Sequence, residues 1–127
     1  MNEELVKEWT LKAEEDCLAV EELYKISVRR FAAIICFHAQ QCAEKYLKAL
    51  LTSHNIEPPR THSLETLLDL IVDNVPELEQ YRDMLTGLTP YSVEYRYPGV
   101  AATPDDATYC AQTVRELRKA FNGIIKS

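Results

Sequence analysis

Four side chains at helical spacing, His38, Gln41, Lys45 and Lys48, could together hold a phosphate. At about 100° per residue they fall within about 80° of one another on one helix face. An imidazole, an amide and two ammoniums supply donors and positive charge, and Glu44 lies at the edge of the same stripe. A nucleotide or an RNA backbone suits such a set. The competing reading is an ordinary solvated face on which Glu44 and Lys48 form an i,i+4 pair. Ile34 and Phe37 prolong the face in the N-terminal direction, and an apolar patch on an outward face suggests that a partner covers it.

Arg96 is a second candidate. It stands between Tyr95 and Tyr97 in a stretch, residues 90–103, that also holds Tyr91. An Arg flanked by aromatic rings can stack on a base or clamp a phosphate; the plainer reading is an Arg that binds loop carbonyls. Pro90 and Pro98 stiffen the stretch, so Arg96 is expected to reach a groove shared with His38, Gln41 or Lys45. Arg29 and Arg30 open the helix that carries the stripe, where cations oppose the helix dipole. Anion binding or pairing with the acidic first segment would account for them. No metal site is expected: His38 and Cys42 share a side of the helix, but Cys36 points away and nothing completes a ligand set. No cofactor fingerprint, Walker loop or activated thiol is present.

The elements that must position these groups read as helices of period 3.6. A first helix over about Asn2 to Ile26 has an apolar stripe of Leu5, Trp9, Ala13, Cys17, Val20 and Tyr24, with Glu14, Glu15, Glu21 and Glu22 outside. Ser27 is placed to cap the next helix. That second helix, about Arg29 to Ser53, spans roughly 37 Å. Its core stripe is Ala32, Cys36, Ala39, Ala43, Leu47 and Leu50, half of it alanine, so a neighbour can approach closely. This is the expected central helix, ended before His54-Asn55 and Pro58-Pro59. A third segment runs from Ser63 to Asn74, Pro76 opens another turn, and Pro90 ends it. Thr103 as N-cap, Pro104 at the first position and Asp105-Asp106 beside the positive end mark the last helix. Cys110, Val114, Leu117, Phe121 and Ile124 line its inner side.

Composition agrees with one all-α domain over residues 1–127, an up-and-down bundle of four to five helices. The chain has 127 residues, 46% of them hydrophobic, and only 3 Gly. A net charge of −6 weighs against general nucleic-acid binding. The bases Arg29, Arg30, Lys45, Lys48 and Arg60 nevertheless outnumber Glu44 and Glu57 in the segment that holds the stripe. No apolar run reaches the roughly 20 residues of a membrane span. Met1-Asn2-Glu3-Glu4 begins no secretory signal. The four cysteines, Cys17, Cys36, Cys42 and Cys110, are read as buried reduced thiols of a cytoplasmic protein, not as a disulfide framework.

Several of these residues resemble one family. The run Phe37-His38-Ala39-Gln40-Gln41-Cys42-Ala43-Glu44-Lys45-Tyr46-Leu47-Lys48-Ala49-Leu50-Leu51 resembles the signature helix of HEPN domains. His62-Ser63-Leu64 resembles their His-x-Leu entry to the third helix, and Tyr91 with Arg96-Tyr97-Pro98-Gly99 resembles the loop before their last helix. The resemblance implies a helical bundle, often a homodimer, commonly beside a minimal nucleotidyltransferase in a toxin–antitoxin pair. Some members are metal-independent RNA endonucleases carrying an Arg followed four to six residues later by a His. Here that pair would begin at Arg96, yet no His follows His62. The leading expectation is therefore a non-catalytic, dimeric binding module that contacts nucleotide or RNA through His38, Gln41, Lys45, Lys48, Tyr91, Arg96 and Tyr97. The alternative is a divergent ribonuclease in which Arg96 stabilises the scissile phosphate and His38 or Tyr97 replaces the missing His. A ligand-free dimeric scaffold is the third reading.

Overall fold

In the computed structural model, residues 3–92, 97–99 and 101–126 are described. Among them the chain forms helices and connecting turns, with no strand. The α-helices are α1 (Glu3–Ile26), α2 (Ala32–Ser53), α3 (Leu64–Ile71), α4 (Arg82–Leu88) and α5 (Pro104–Lys126). Short 3-10 helices at Pro76–Tyr81 and Thr89–Ser92 flank α4. This is the up-and-down bundle expected from the 3.6-residue period.

α1 and α2 run antiparallel, joined by residues 27–31. Ser27 does not cap α2 directly. Its hydroxyl accepts from the Arg30 N–H at 3.1 Å and its carbonyl from the Phe31 N–H at 3.2 Å, closing one separate turn. α2 therefore starts at Ala32, and Arg29 and Arg30 lie exposed in the turn. Its expected core stripe, from Ala32 to Leu50, is wholly buried. α5 packs against α2, where Tyr46 stacks on Phe121 with ring centroids 5.0 Å apart. α3 covers another side of α2. Fifteen residues of α2 are buried against four of α1, so α2 is the central helix.

Local chemistry sets the ends. α2 stops in a Schellman arrangement: Asn55 takes the left-handed region at φ 61°, its N–H reaches the Thr52 carbonyl at 3.0 Å, and the Ile56 N–H reaches that of Leu51 at 2.9 Å. Ser63 caps α3 by accepting from the Thr66 N–H at 3.2 Å. Thr103 and Asp106 cap α5 reciprocally: the Asp106 N–H donates to the Thr103 hydroxyl at 3.1 Å, and the Thr103 N–H to the Asp106 carboxylate at 2.8 Å.

Two expectations for α1 are corrected. Glu14 and Glu21 turn toward α5 and hold Arg118 and Arg115 in two-point ion pairs, because α5 lies along that flank. Leu5, placed in the apolar stripe, is exposed, at the rim of an open cleft shared with Thr52, Asn55 and Ile56. The cysteine reading also changes. Cys17 and Cys42 are joined as a disulfide across the α1–α2 seam, with Cα atoms 5.8 Å apart. Cys36 and Cys110 are buried free thiols, and their contact, with burial second, pushes the Cys110 pKa up. Spacing along the chain did not reveal which cysteines would face one another across helices.

Candidate functional site

The polar side of α2 is organised around two buried carboxylates from different helices. Asp16 of α1 occupies the first centre. One of its oxygens lies 2.7 Å from His38 Nδ1, and the other accepts from the Lys45 ammonium at 2.6 Å. Glu44 occupies the second. Its Oε1 lies 2.9 Å from His62 Nδ1 and accepts from Gln40 Nε2 at 3.2 Å; its Oε2 accepts from Lys48 Nζ at 3.0 Å. Gln40 also donates to the His62 carbonyl at 3.0 Å, which ties the loop after α2 back onto the helix. Gln41 Nε2 donates to Gln40 Oε1 at 2.9 Å, prolonging the Glu44 network toward the outward face.

Helix geometry explains the arrangement. Gln40, Glu44 and Lys48 are successive i,i+4 positions and so line up on one edge of α2. The Schellman turn and Pro58-Pro59 reverse the chain so that His62, just before the α3 cap, lies over Glu44. Asp16 sits on the flank of α1 that meets His38 and Lys45 once α1 is antiparallel to α2. Lys48 also stands 5.5 Å from the centre of the Trp9 ring, a cation–π distance. A buried carboxylate is costly unless paired and hydrogen-bonded, and each of these has an ammonium and an imidazole.

The four stripe residues are therefore on one side of α2 as their spacing predicts, but they are not equally open. The His38 and Lys45 side chains keep 30% and 23% of their surface exposed, whereas Lys48 keeps 11% and is committed to Glu44 and Trp9. Gln41 is partly exposed, and Ile34 beside it is open to solvent. Tyr91 lies elsewhere. It is buried, and its hydroxyl donates to Asp106 at the start of α5. It also neighbours Cys36 and Cys110, across α2 from His38. Desolvation first, then the bond to Asp106, push the Tyr91 hydroxyl pKa up. The Thr103 backbone N–H and the Tyr91 hydroxyl hold Asp106 below the usual carboxylate value. Tyr97 is exposed, and Arg96, expected to point into the groove, lies outside the described residues.

Asp16, Gln40 and His62 were missed as site residues. Asp16 carried a readable signal: it lies three residues after Ala13 and four before Val20, an acid in the helical register of an apolar stripe. Gln40 carried a weaker one, as an amide four residues before Glu44. His62 had none in spacing alone.

An all-helical bundle with a polar-edged central helix defines the class of fold. The HEPN domain profile matches residues 6–124, nearly the whole chain, and the protein belongs to the HEPN domain family. The crystal structure of ST0689, an archaeal HEPN homologue, is similar at 28% sequence identity and a TM-score of 0.69. The similarity covers 94% of this chain and 97% of that one. No curated protein matches.

Proposed function

We propose that the protein is a dimeric HEPN module that contacts nucleotide or RNA. In this reading it works beside a minimal nucleotidyltransferase in a toxin–antitoxin-like pair. The carrying observation is the polar edge of α2. There His38, Gln41 and Lys45 are held in place by Asp16 and Gln40 yet keep part of their surface open. Pre-positioned donors lose little entropy when a ligand arrives. Lys48, buried against Glu44 and Trp9, keeps the surrounding shape, while Arg96 and Tyr97 supply the cation and ring of the loop. Ile34, exposed next to the polar edge, fits a second copy, because two-fold contacts are the commonest solution for soluble oligomers.

Calorimetric titration with nucleotides and short RNAs tests the binding reading. The wild type should bind, and Arg96→Ala should weaken binding by about 1.5–3 kcal/mol, the range for a hydrogen bond to a charged group. Equal binding by both proteins rules out the Arg96 contact, and no binding by the wild type rules out the reading. Sedimentation showing only a 14.6 kDa species at micromolar concentration would remove the dimer.

A further inference from the structure

The Cys17–Cys42 disulfide is almost wholly buried, yet it is not sealed on every side. A cavity of about 220 Å³ opens between α1 and α5, and Cys17 is in its wall while Cys42 is not. Arg115, Arg118, Lys119 and Asn122 of α5 line the same cavity, with Glu21 of α1. Arg115 is held by Glu21 and Arg118 by Glu14, each through two N–H groups. A guanidinium has five such groups, so each arginine keeps three for another acceptor. Both side chains are nearly half exposed. Lys119 has no carboxylate partner among the described residues. Three cations against two carboxylates make this cleft locally positive, in a chain whose total charge is −6.

A disulfide is opened by a thiolate that attacks one of its sulfurs, so the attacker is an anion that must reach that sulfur. Here the cleft leads to one sulfur only, past cations, and is too narrow to admit a folded protein. We propose that it is a site for a small anionic thiol, which exchanges with the Cys17–Cys42 disulfide by attack on Cys17. The free N–H groups of Arg115, Arg118 and Lys119 hold the carboxylate of that thiol. Its thiolate sulfur bonds to Cys17 Sγ as the bond between the two cysteines breaks. Cys42 leaves as a thiolate and takes a proton from water. A second thiolate then bonds to the sulfur of the first and releases Cys17, which is also protonated by water. Two small thiols become one small disulfide, and the protein gains two electrons and two protons. The bond lies at the polar edge of α2: Asp16 precedes Cys17, and Cys42 stands between His38 and Lys45. Exchange therefore removes the covalent tie at the seam where Asp16 holds those two side chains.

The test uses the full chain, purified without reductant, and three small thiols: anionic mercaptopropionate, neutral mercaptoethanol and cationic cysteamine. Opening of the bond is followed by mass spectrometry after acid quench, with rates compared at equal thiolate concentration and low salt. The carboxylate thiol should react about tenfold faster than the ammonium thiol, the low end of electrostatic focusing in a charged cleft. The low end applies because Glu14 and Glu21 offset two of the cations. In about 1 M salt, where the Debye length is about 3 Å, the difference should shrink. The first adduct should map to Cys17, with Cys42 open to alkylation. Replacing both cations by Arg118→Glu and Lys119→Glu should reverse the order of the thiols, with circular dichroism reporting that the helices are kept. The wild-type series decides the matter even if that variant does not fold. Equal rates for the three thiols, the result if the bond opens only on unfolding, overturn the proposal. So does a first adduct on Cys42, a folded double variant that keeps the wild-type order, or a purified chain with four free thiols.

Discussion

Neutralising Glu44 is the sharpest test of the buried network. In Glu44→Gln the side chain keeps its size and an acceptor oxygen, but Lys48 keeps its charge and loses its anion. The Glu44 and Lys48 side chains are 5% and 11% exposed, and the ion pair is 3.0 Å long. Breaking a buried pair by removing one charge typically costs about 3–5 kcal/mol. Two features place this case at the lower end. Lys48 retains the Trp9 ring at 5.5 Å, worth about 0.5–2 kcal/mol, and its long stem lets the ammonium edge toward water. The expected loss is about 3 kcal/mol, a large share of the roughly 5–15 kcal/mol that holds a domain together. Urea unfolding followed by circular dichroism measures it, with an unchanged slope showing that only stability moved. Adding Lys48→Met to Glu44→Gln should restore about 2 kcal/mol, because no unpaired charge is then buried. A Glu44→Gln loss below about 1 kcal/mol, or a double variant no more stable than the single, would refute the reasoning.

Three further outcomes are expected. Ala39→Leu forces extra methylenes into a site of 0% exposure; it should cost about 1–3 kcal/mol in the same denaturation assay. Reducing the Cys17–Cys42 bond reopens a separation of 25 residues. It should lower stability by about 3.5 kcal/mol on the chain-entropy estimate, and alkylation of the unfolded chain without reductant should label two cysteines, not four. Asp106 has its folded-state pKa lowered from 3.8, chiefly by the Thr103 backbone N–H. Its contribution is therefore present above pH 3.8 and lost as pH falls through the lower folded value. Asp106→Asn should flatten that part of the acid limb of a stability–pH curve; an unchanged limb would count against the cap.

The helices were legible wherever burial alone decides the pattern. Ala32, Cys36, Ala39, Ala43, Leu47 and Leu50 recur at three and four residues, and each is buried. Thr103, Pro104 and Asp106 announce a helix start through local chemistry that needs no partner. The site was legible only as one face of one helix. That His38 and Lys45 converge on Asp16, and Lys48 on Glu44, depends on how α1 and the His62 loop lie across α2. Register between helices is not written in the period of either. For the same reason Lys48 read as a solvent-facing cation although Trp9 and Glu44 enclose it, and Cys17 and Cys42 read as separate thiols. Tyr91 was grouped with Arg96 by closeness in sequence, but its ring turns to the opposite side of α2.

The placement of α2 between α1 and α5 also dictates an order of assembly. α1 and α2 are joined by residues 27–31, so they can close as a hairpin through short-range contacts, which form quickly. The seam where Tyr46 meets Phe121 and Cys36 meets Cys110 must wait for a helix that begins only at Pro104. While the chain is being synthesised, the hairpin therefore carries an uncovered apolar flank until α5 emerges. That half-built hairpin is the species most open to aggregation and the one a chaperone would be expected to hold.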